Sequence, residues 1–144
     1  MDCIFCQIAA GKAEASKIFE NERVVAFLDI QPVRPGQTLI IPKEHIDHFS
    51  DIPDDLAMEI YAVTHKLSRI IRDALKPERV GLVVHGYGVA HAHMVIVPQH
   101  DEADIVSGRM AGVENGSVVF SVKNLPPASR SELDDIARLI REAV

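Results

Sequence analysis

Two histidines that stand two positions apart are the residues of this sequence best suited to chemistry. His91 and His93 open the apolar run 94–97. Because successive side chains of a strand point to opposite faces, both imidazoles would lie on one face, which continues into Val95. The pair is either two hydrogen-bonded structural histidines or a metal ligand and a nucleophile. Glycines at both ends of 86–88 would let backbone N–H groups approach an anion, and they favour the second interpretation.

Two cysteines near the chain start form a second group with metal-binding potential. Structural zinc takes four nitrogen or sulfur ligands in a tetrahedron, and Cys3-x-x-Cys6 supplies two of them. His45 could supply a third ligand and His91 a fourth, although spacing alone does not select His45 over His48. The alternative is a pair of reduced, partly buried thiols, and the residues by themselves leave both interpretations open.

The remaining histidines have simpler interpretations. His65 lies off the apolar stripe of a predicted helix and is expected to be solvated. We expect His48 to be a loop or cap residue, and His100, which follows a strand end, to be exposed. Apart from His48 as the alternative to His45 in the metal site, none of these three is a candidate ligand or nucleophile on pattern alone.

Length and charge limit the class of protein. The chain has 144 residues, which predicts one domain over residues 1–144, and its formal net charge is −6. That charge argues against a nucleic-acid-binding groove, although a small anion needs only local positive potential. No apolar run is long enough to span a membrane, and the first residues lack a secretory pattern. We therefore expect a cytoplasmic protein.

The hydrophobic patterning predicts six strands and two main helices around these residues. A helix over 52–75 carries an apolar stripe at three- and four-residue steps, with Asp51 as its N-cap and Lys76-Pro77 as its stop. A C-terminal helix over 130–143 begins with a Ser129-x-x-Glu132 capping box. Residues 101–117 are predicted to be irregular. The predicted strands are 17–20, 24–28, 37–42, 80–84, 93–97 and 117–122. Since strands and helices do not strictly alternate, we expect an antiparallel α+β sheet.

Four blocks of the sequence resemble the histidine triad (HIT) proteins in order and spacing, and in particular the zinc-binding bacterial-type branch of that family. The last block carries His91-x-His93 followed by apolar residues, where the family has His-x-His-x-His. The resemblance covers residues 3 to about 98, and the extension 101–144 carries no family signature. The blocks are Cys3-Ile4-Phe5-Cys6-x-Ile8, Ala26-Phe27-Leu28-Asp29-Ile30-x-Pro32, Pro35-Gly36-x-Thr38-Leu39-Ile40-Ile41-Pro42-Lys43-x-His45-Ile46 and Val89-Ala90-His91-Ala92-His93-Met94-Val95-Ile96-Val97-Pro98.

The resemblance implies a homodimer with a HIT-like fold that binds a purine, AMP-like nucleotide. It also implies an enzyme in which the middle histidine attacks the α-phosphate of a nucleoside phosphoramidate or dinucleoside polyphosphate. By position that nucleophile is His93, and a carbonyl of His91 would accept a hydrogen bond from its other ring nitrogen. A neutral imidazole is a competent nucleophile near pH 7.

The resemblance assigns the other site residues by position. Asp29 matches the acidic residue that holds the ribose hydroxyls, and His85 lies near a family amide that contacts the phosphate, although the loop here is shorter. Gly86 and Gly88 fall in the loop whose backbone faces the phosphate. The apolar residues that match those around the base are Phe5, Ile8, Ile18 and Ile30. The ligands of a structural Zn²⁺ would be Cys3, Cys6, His45 and His91.

Two departures from the family pattern bear on activity. The third histidine of the motif is Val95 here, and a further family histidine on the early strand is Gln37. Losing one transition-state donor typically costs roughly 10²–10³ in rate. Gln37 can still donate through its amide but cannot titrate. The leaving-group proton would then come from water, from the substrate, or from His85 or His100.

Three hypotheses follow from the sequence. The first is a HIT-type hydrolase or transferase with His93 as its nucleophile. The second, favoured by Val95 and Gln37, is a slow or inactive nucleotide-binding protein. The third is a zinc-bearing interaction module, over which the retained His93, Asp29 and glycine turn favour the first.

Overall fold

A five-stranded antiparallel sheet is the centre of the fold. The computed structural model describes residues 2–105 and 108–144. The strands lie in the order β1-β2-β3-β5-β4, so that β1 and β4 form the edges. Their bounds are β1 Lys17–Glu20, β2 Val24–Leu28, β3 Thr38–Pro42, β4 Arg79–Val83 and β5 Met94–Gln99. The helices are α1 Ile4–Ala9, α2 Asp54–Leu75 and α3 Arg130–Glu142. The predicted α+β class, with one long helix and a C-terminal helix, is confirmed.

Both faces of the sheet are covered, which explains why every residue of β2 and β3 is buried. Alternate residues such as Val24, Ala26 and Leu28 pack on the side of α2 and α3. Val25 and Phe27 point to the other side, where they pack with residues of α1. The sequence did not predict the short helix α1. This helix covers the face of the sheet on which Val95 lies, and its Phe5 contacts His93.

The long helix α2 begins later than predicted. Pro53, not Asp51, is its N-cap residue, with φ −55° and ψ 143°. Asp51 instead ends a short 3₁₀ helix, Phe49–Asp51. The cause is local, because Ile52 precedes a proline and is held in an extended conformation. The predicted stop is confirmed, since Lys76 adopts a left-handed C-cap conformation with φ 52°. None of the helices among the described residues is both long and apolar enough to cross a bilayer.

Three predicted strands shift at their ends. The strand predicted over 37–42 begins at Thr38, and the one predicted over 80–84 is β4, at 79–83. The strand predicted over 93–97 is β5, which continues through Pro98, the residue expected to end it. The pairing of β5 with β3 ends at Ile96. Pro98, which has no N–H to donate, is tolerated beyond that point, where β5 pairs only with β4.

The C-terminal extension contains a hairpin where an irregular stretch was predicted. Strand β6, Ala111–Glu114, lies inside the predicted irregular segment 101–117 and pairs with β7, Ser117–Phe120. Asn115-Gly116 makes the turn with φ angles of 50° and 77°, a signal that the sequence did contain. Residues 106 and 107 of that segment lie outside the described residues. Strand β7 and helix α3 each end before the predicted limits of 122 and 143, and the predicted capping box of α3 is present.

Candidate functional site

Four predicted metal ligands meet beside helix α1. The Cys3 and Cys6 sulfurs lie 3.4 and 3.5 Å from His91 Nδ1, and the Cys6 sulfur lies 3.2 Å from His45 Nδ1. All four ligand atoms lie within 4.8 Å of one another. Ligands about 2.3 Å (sulfur) and 2.05 Å (nitrogen) from a tetrahedral zinc would stand about 3.6 Å apart, so the geometry fits. The cluster contains His45 and not His48, which the sequence could not decide.

His91 is held in the tautomer that a metal site needs. Its side chain is fully buried, and its Nε2 lies 2.8 Å from the carbonyl oxygen of Pro42. Nε2–H donates to that oxygen, which leaves the lone pair on Nδ1 directed at the thiols. Burial lowers the pKa of His91 and favours the neutral ring. Burial also raises the pKa of the Cys6 thiol, with a further contribution from Cys3. A bound cation would reverse that effect and favour the thiolates.

His93 is oriented by the backbone of the same segment. Its Nδ1 lies 2.7 Å from the carbonyl oxygen of His91, so that Nδ1–H is the donor and Nε2 carries the lone pair. The described residues supply no hydrogen-bond partner for that Nε2. The Phe5 ring packs edge-on against the half-buried imidazole, with centroids 5.4 Å apart. This arrangement leaves one nitrogen of His93 available for bond formation.

A small pocket opens beside the two histidines. Gly86 and Gly88 have φ angles of 82° and 94°, a conformation that favours glycine and turns the loop past the histidines. The His85 ring is exposed and lies 5.6 Å from that of Tyr87, centroid to centroid. The residues that line the pocket are Asp47, Phe49, Val84, Gly86, Val89, His91, Ala92 and His93.

Asp29 and Gln37 form a hydrogen-bonded pair. The Gln37 amide nitrogen donates to Asp29 Oδ2 at 2.8 Å, and the Gln37 oxygen accepts from the Val33 N–H at 2.9 Å. The other Asp29 oxygen accepts from the Gln31 N–H at 2.9 Å. The Gln37 amide, which the sequence left free to contact a ligand, is therefore already engaged in orienting the carboxylate.

The four apolar residues predicted around the base do not all meet. Phe5 and Ile8 are buried together on the α1 side of the sheet. Ile30 is 58% exposed. Ile18 is buried with the cluster on the α2 and α3 side, so the structure does not place it with Phe5 and Ile8, and its role stays a prediction. His65 and His100 are exposed, as expected, and His48 is the N-cap residue of the short 3₁₀ helix Phe49–Asp51, which confirms it as a cap residue.

The HIT domain model matches residues 10–102, which is more than half of the chain. The chain belongs to the HIT family. The matched region extends a few residues past the 3–98 resemblance seen in the sequence and ends before the β6–β7 hairpin.

Two relatives are more than 35% identical to this chain over about 110 residues. The hit protein of Bacillus subtilis is 39% identical over 108 residues, covering 72% of this chain and 74% of the relative. A protein of Candida albicans named adenosine 5′-monophosphoramidase is 36% identical over 110 residues, covering 70% of this chain and 72% of its own length.

Solved HIT structures share the fold over nearly the whole chain. A Zn-bound histidine triad protein from Mycobacterium smegmatis has a TM-score of 0.76 at 27% identity, covering 99% of this chain and 93% of the other. A HIT family protein from Bacillus subtilis has a TM-score of 0.69 at 32% identity, covering 100% and 98%.

The structure adds residues that motif-based reasoning missed. Asp47 and Phe49 reach the pocket from the segment between β3 and α2, and their contribution depends on chain folding that no local pattern encodes. Phe27 packs with Phe5 at 5.5 Å between ring centroids. Strand alternation around Asp29 could have found it. Val95 lies on the face of β5 that packs against α1, where the HIT motif has its third histidine.

Proposed function

We propose that this HIT protein hydrolyses a nucleoside phosphoramidate or dinucleoside polyphosphate at the α-phosphate, or transfers the nucleotide to another acceptor, through a nucleotidyl-His93 intermediate. The observation that carries the proposal is the 2.7 Å hydrogen bond from His93 Nδ1–H to the His91 carbonyl. It fixes the tautomer in which Nε2 is nucleophilic. The Candida relative, named adenosine 5′-monophosphoramidase, supports the substrate class.

The proposed reaction has two displacements at phosphorus. In the first, His93 Nε2 attacks the α-phosphorus, an N–P bond forms, and the P–O or P–N bond to the leaving group breaks. The leaving group departs with the bonding electron pair and takes up a proton from water, from the substrate, or from His85 or His100. In the second, water attacks phosphorus, the N–P bond breaks, and a nucleoside monophosphate and a proton are released. His93 returns to its neutral form.

The remaining predicted residues would bind the nucleotide around His93. Asp29, oriented by Gln37 and the Gln31 N–H, would accept from the ribose hydroxyls. The backbone at Gly86 and Gly88, with His85 nearby, would face the phosphate. Phe5 is in edge contact with His93 and would pack against the nucleoside, so the pocket would extend along the α1 face. The other proposed base contacts are Ile8, Ile18 and Ile30.

The release of AMP from an adenosine phosphoramidate and from a diadenosine polyphosphate tests the proposal. His93→Ala should reduce release to the uncatalysed background while AMP still binds. His65→Ala, an exposed change on α2, is the matched control and should leave the rate unchanged. Equal release by the wild type and His93→Ala would refute the catalytic role. If neither protein binds AMP, the nucleotide assignment is refuted and the interaction-module hypothesis remains.

A slow or non-catalytic nucleotide-binding protein is the second candidate. Val95 offers no donor on the face it shares with His93, and the Gln37 amide is engaged by Asp29. Of the two substitutions that restore a family histidine, Val95→His is the better test, because Gln37→His would also remove the hydrogen bond to Asp29. A rate gain of about tenfold or more in Val95→His would show that the missing histidine limits turnover. An unchanged rate would favour a protein that works by binding.

We also propose that Cys3, Cys6, His45 and His91 hold a structural Zn²⁺. Bound there, zinc would supply a cross-link between α1 and the segment that carries His93. Two free thiols beside two imidazoles also suit the reducing conditions of the predicted cytoplasm. Metal analysis of protein purified without chelator should give about one zinc per chain, and a chelator should lower the melting temperature. Less than about half a zinc per chain, unchanged in Cys3→Ser, would refute the assignment.

A homodimer completes the proposal, as the family resemblance implies. Strand β4 is a sheet edge, and Leu82, Val84 and Tyr87 along and after it are 42%, 43% and 78% exposed. An uncovered edge with apolar side chains is a typical pairing surface. Light scattering should give the mass of two chains, and Leu82→Lys should shift the mass toward one. A monomeric mass for the wild type would refute the dimer.

A further inference from the structure

A cavity of about 390 Å³ lies at the end of the sheet remote from His93. It is bounded by the second half of α2, by the start of β4 and by Gln99, the last residue of β5. Six residues of extended chain separate His93 from Gln99, a span of about 20 Å. The cavity is therefore a separate place from the pocket beside the histidines. Its polar lining residues are Ser68, Arg69, Arg72, Glu78, Arg79 and Gln99.

The pairing of the arginines distinguishes this cavity from the rest of the surface. Within the described residues, five arginines form ion pairs with carboxylates, and Arg141 donates to the Lys17 carbonyl. Arg69, Arg72 and Arg79 have no carboxylate within 4.0 Å in that part of the chain, and all three line the cavity. The paired arginines are Arg23, Arg34, Arg109, Arg130 and Arg138.

Local charge favours an anion with more than one negative charge. Three exposed arginines and one exposed glutamate, Glu78, are among the lining residues, which gives a local excess of two positive charges in a chain of net charge −6. Each guanidinium offers five N–H donors in a planar fork that matches two oxygens of a phosphate. The Ser68 hydroxyl donates to the Thr64 carbonyl, so the guanidinium groups are the main free donors. The volume lies near the lower limit for ligand pockets.

We propose that this cavity binds a pyrophosphate-like group, either a free inorganic anion or the phosphates of a nucleotide. Arg69, Arg72 and Arg79 are the ligand-binding residues, and Glu78 weakens the binding by repulsion. The site is independent of the proposed catalysis at His93, because no single phosphate group can reach both places. It adds a second anion site to a protein whose overall charge disfavours anions.

Titration of the full-length protein with inorganic pyrophosphate at constant ionic strength tests the proposal. Calorimetry gives the affinity, and the arginine Nε–H signals in NMR report which guanidinium groups are contacted. Arg72→Gln and Arg79→Gln should each weaken binding by about tenfold or more, since each removes charge-assisted hydrogen bonds. Arg138→Gln, an exposed arginine of α3, is the matched control and should change nothing. Glu78→Gln should strengthen binding severalfold.

Two further experiments test whether the site is independent of His93 and whether its ligand is a free anion or a nucleotide. Pyrophosphate binding should be unchanged in His93→Ala. Competition by ADP, which carries a diphosphate, distinguishes a nucleotide-phosphate site from one for the free anion. The proposal is wrong if wild type shows no saturable pyrophosphate binding. It is also wrong if His93→Ala abolishes binding, or if Arg72→Gln and Arg79→Gln bind as well as Arg138→Gln does.

Discussion

Asp104 holds the segment after β5 to the loop that contains Arg34, and replacing it with Asn tests that contact. Its carboxylate is fully buried and accepts from Arg34 Nε at 2.8 Å, from the His100 N–H at 2.7 Å and from Arg109 Nε. The substituted asparagine would keep the shape of the side chain but lose its charge, and the new amide nitrogen would face one of these donors. Breaking a buried pair costs about 3–5 kcal/mol.

The expected loss is smaller than that limit, because the two guanidinium partners are 24% and 38% exposed and are partly screened by water. We expect Asp104→Asn to lower the free energy of unfolding by about 2–3 kcal/mol at pH 7. Asp135→Asn is the matched control, since its pair with Arg138 is more than 60% exposed on both sides. That variant should lose less than about 0.5 kcal/mol.

The pH dependence gives a second, independent readout. Burial opposes ionisation of Asp104, but Arg34, the His100 N–H and Arg109 outweigh it and hold the pKa of the carboxyl well below its usual range. A depressed pKa stabilises the fold above the unfolded value of about 3.9, and that stability is lost as the pH falls toward the folded value. Urea denaturation should therefore show a full penalty for Asp104→Asn at pH 5–7 and a smaller one near pH 3. A penalty below about 0.5 kcal/mol at pH 7, or one that does not change with pH, would refute the reasoning.

Three further changes test the packing, the helix start and the site loop. Leu67→Ala removes a fully buried side chain of α2 and should cost about 2–5 kcal/mol in urea denaturation; a loss below 1 kcal/mol would contradict its place in the core. Ser129→Ala removes the capping box of α3 and should cost about 1 kcal/mol in thermal unfolding, whereas Ser131→Ala in the same turn should cost far less. Gly88→Ala places a side chain at φ 94° and should cost about 1–3 kcal/mol or displace the loop, so AMP release should fall more than in Gly11→Ala, whose φ is 70°.

The sequence predicted most of the sheet because its central strands have a clear hydrophobic pattern. Strands β2 and β3 are buried on both faces and appear as continuous apolar runs, which end at turn residues. The helix stripe of α2 and the capping box of α3 are local signals that tertiary packing did not override. The predicted ligand set required the family resemblance, since His45 and the cysteines are 39 residues or more apart and only the fold brings them together.

What the sequence could not provide depends on long-range contacts or on short, weak local signals. Helix α1 has six residues and no side-chain cap, so its stability comes from packing Phe5 and Ile8 on the sheet. The Arg34–Asp104 pair joins residues 70 positions apart, and the arginine cavity joins α2 to two strand ends. The engagement of Gln37 by Asp29 changes how one departure from the family motif is understood. The Gln37 amide donates to the Asp29 carboxylate, so one of its two N–H donors is already engaged.

Two requirements of the proposed reaction depend on different parts of the structure: the orientation of His93 and the protonation of the leaving group. The backbone orients His93, because its Nδ1–H donates to the His91 carbonyl and the backbone around that carbonyl is itself held. The His91 N–H donates to the Val89 carbonyl at 2.8 Å, and the Ala92 N–H donates to the Ile46 carbonyl at 2.7 Å. In the proposed reaction, the leaving group would lack the proton donor that the HIT motif places at the position of Val95. Attack should therefore remain efficient only for leaving groups that need no proton. Across a series of adenylates with leaving groups of rising pKa, the rate should fall steeply in the wild type and less steeply in Val95→His. Equal slopes would show that the proton comes from another group, or that its transfer does not limit the rate.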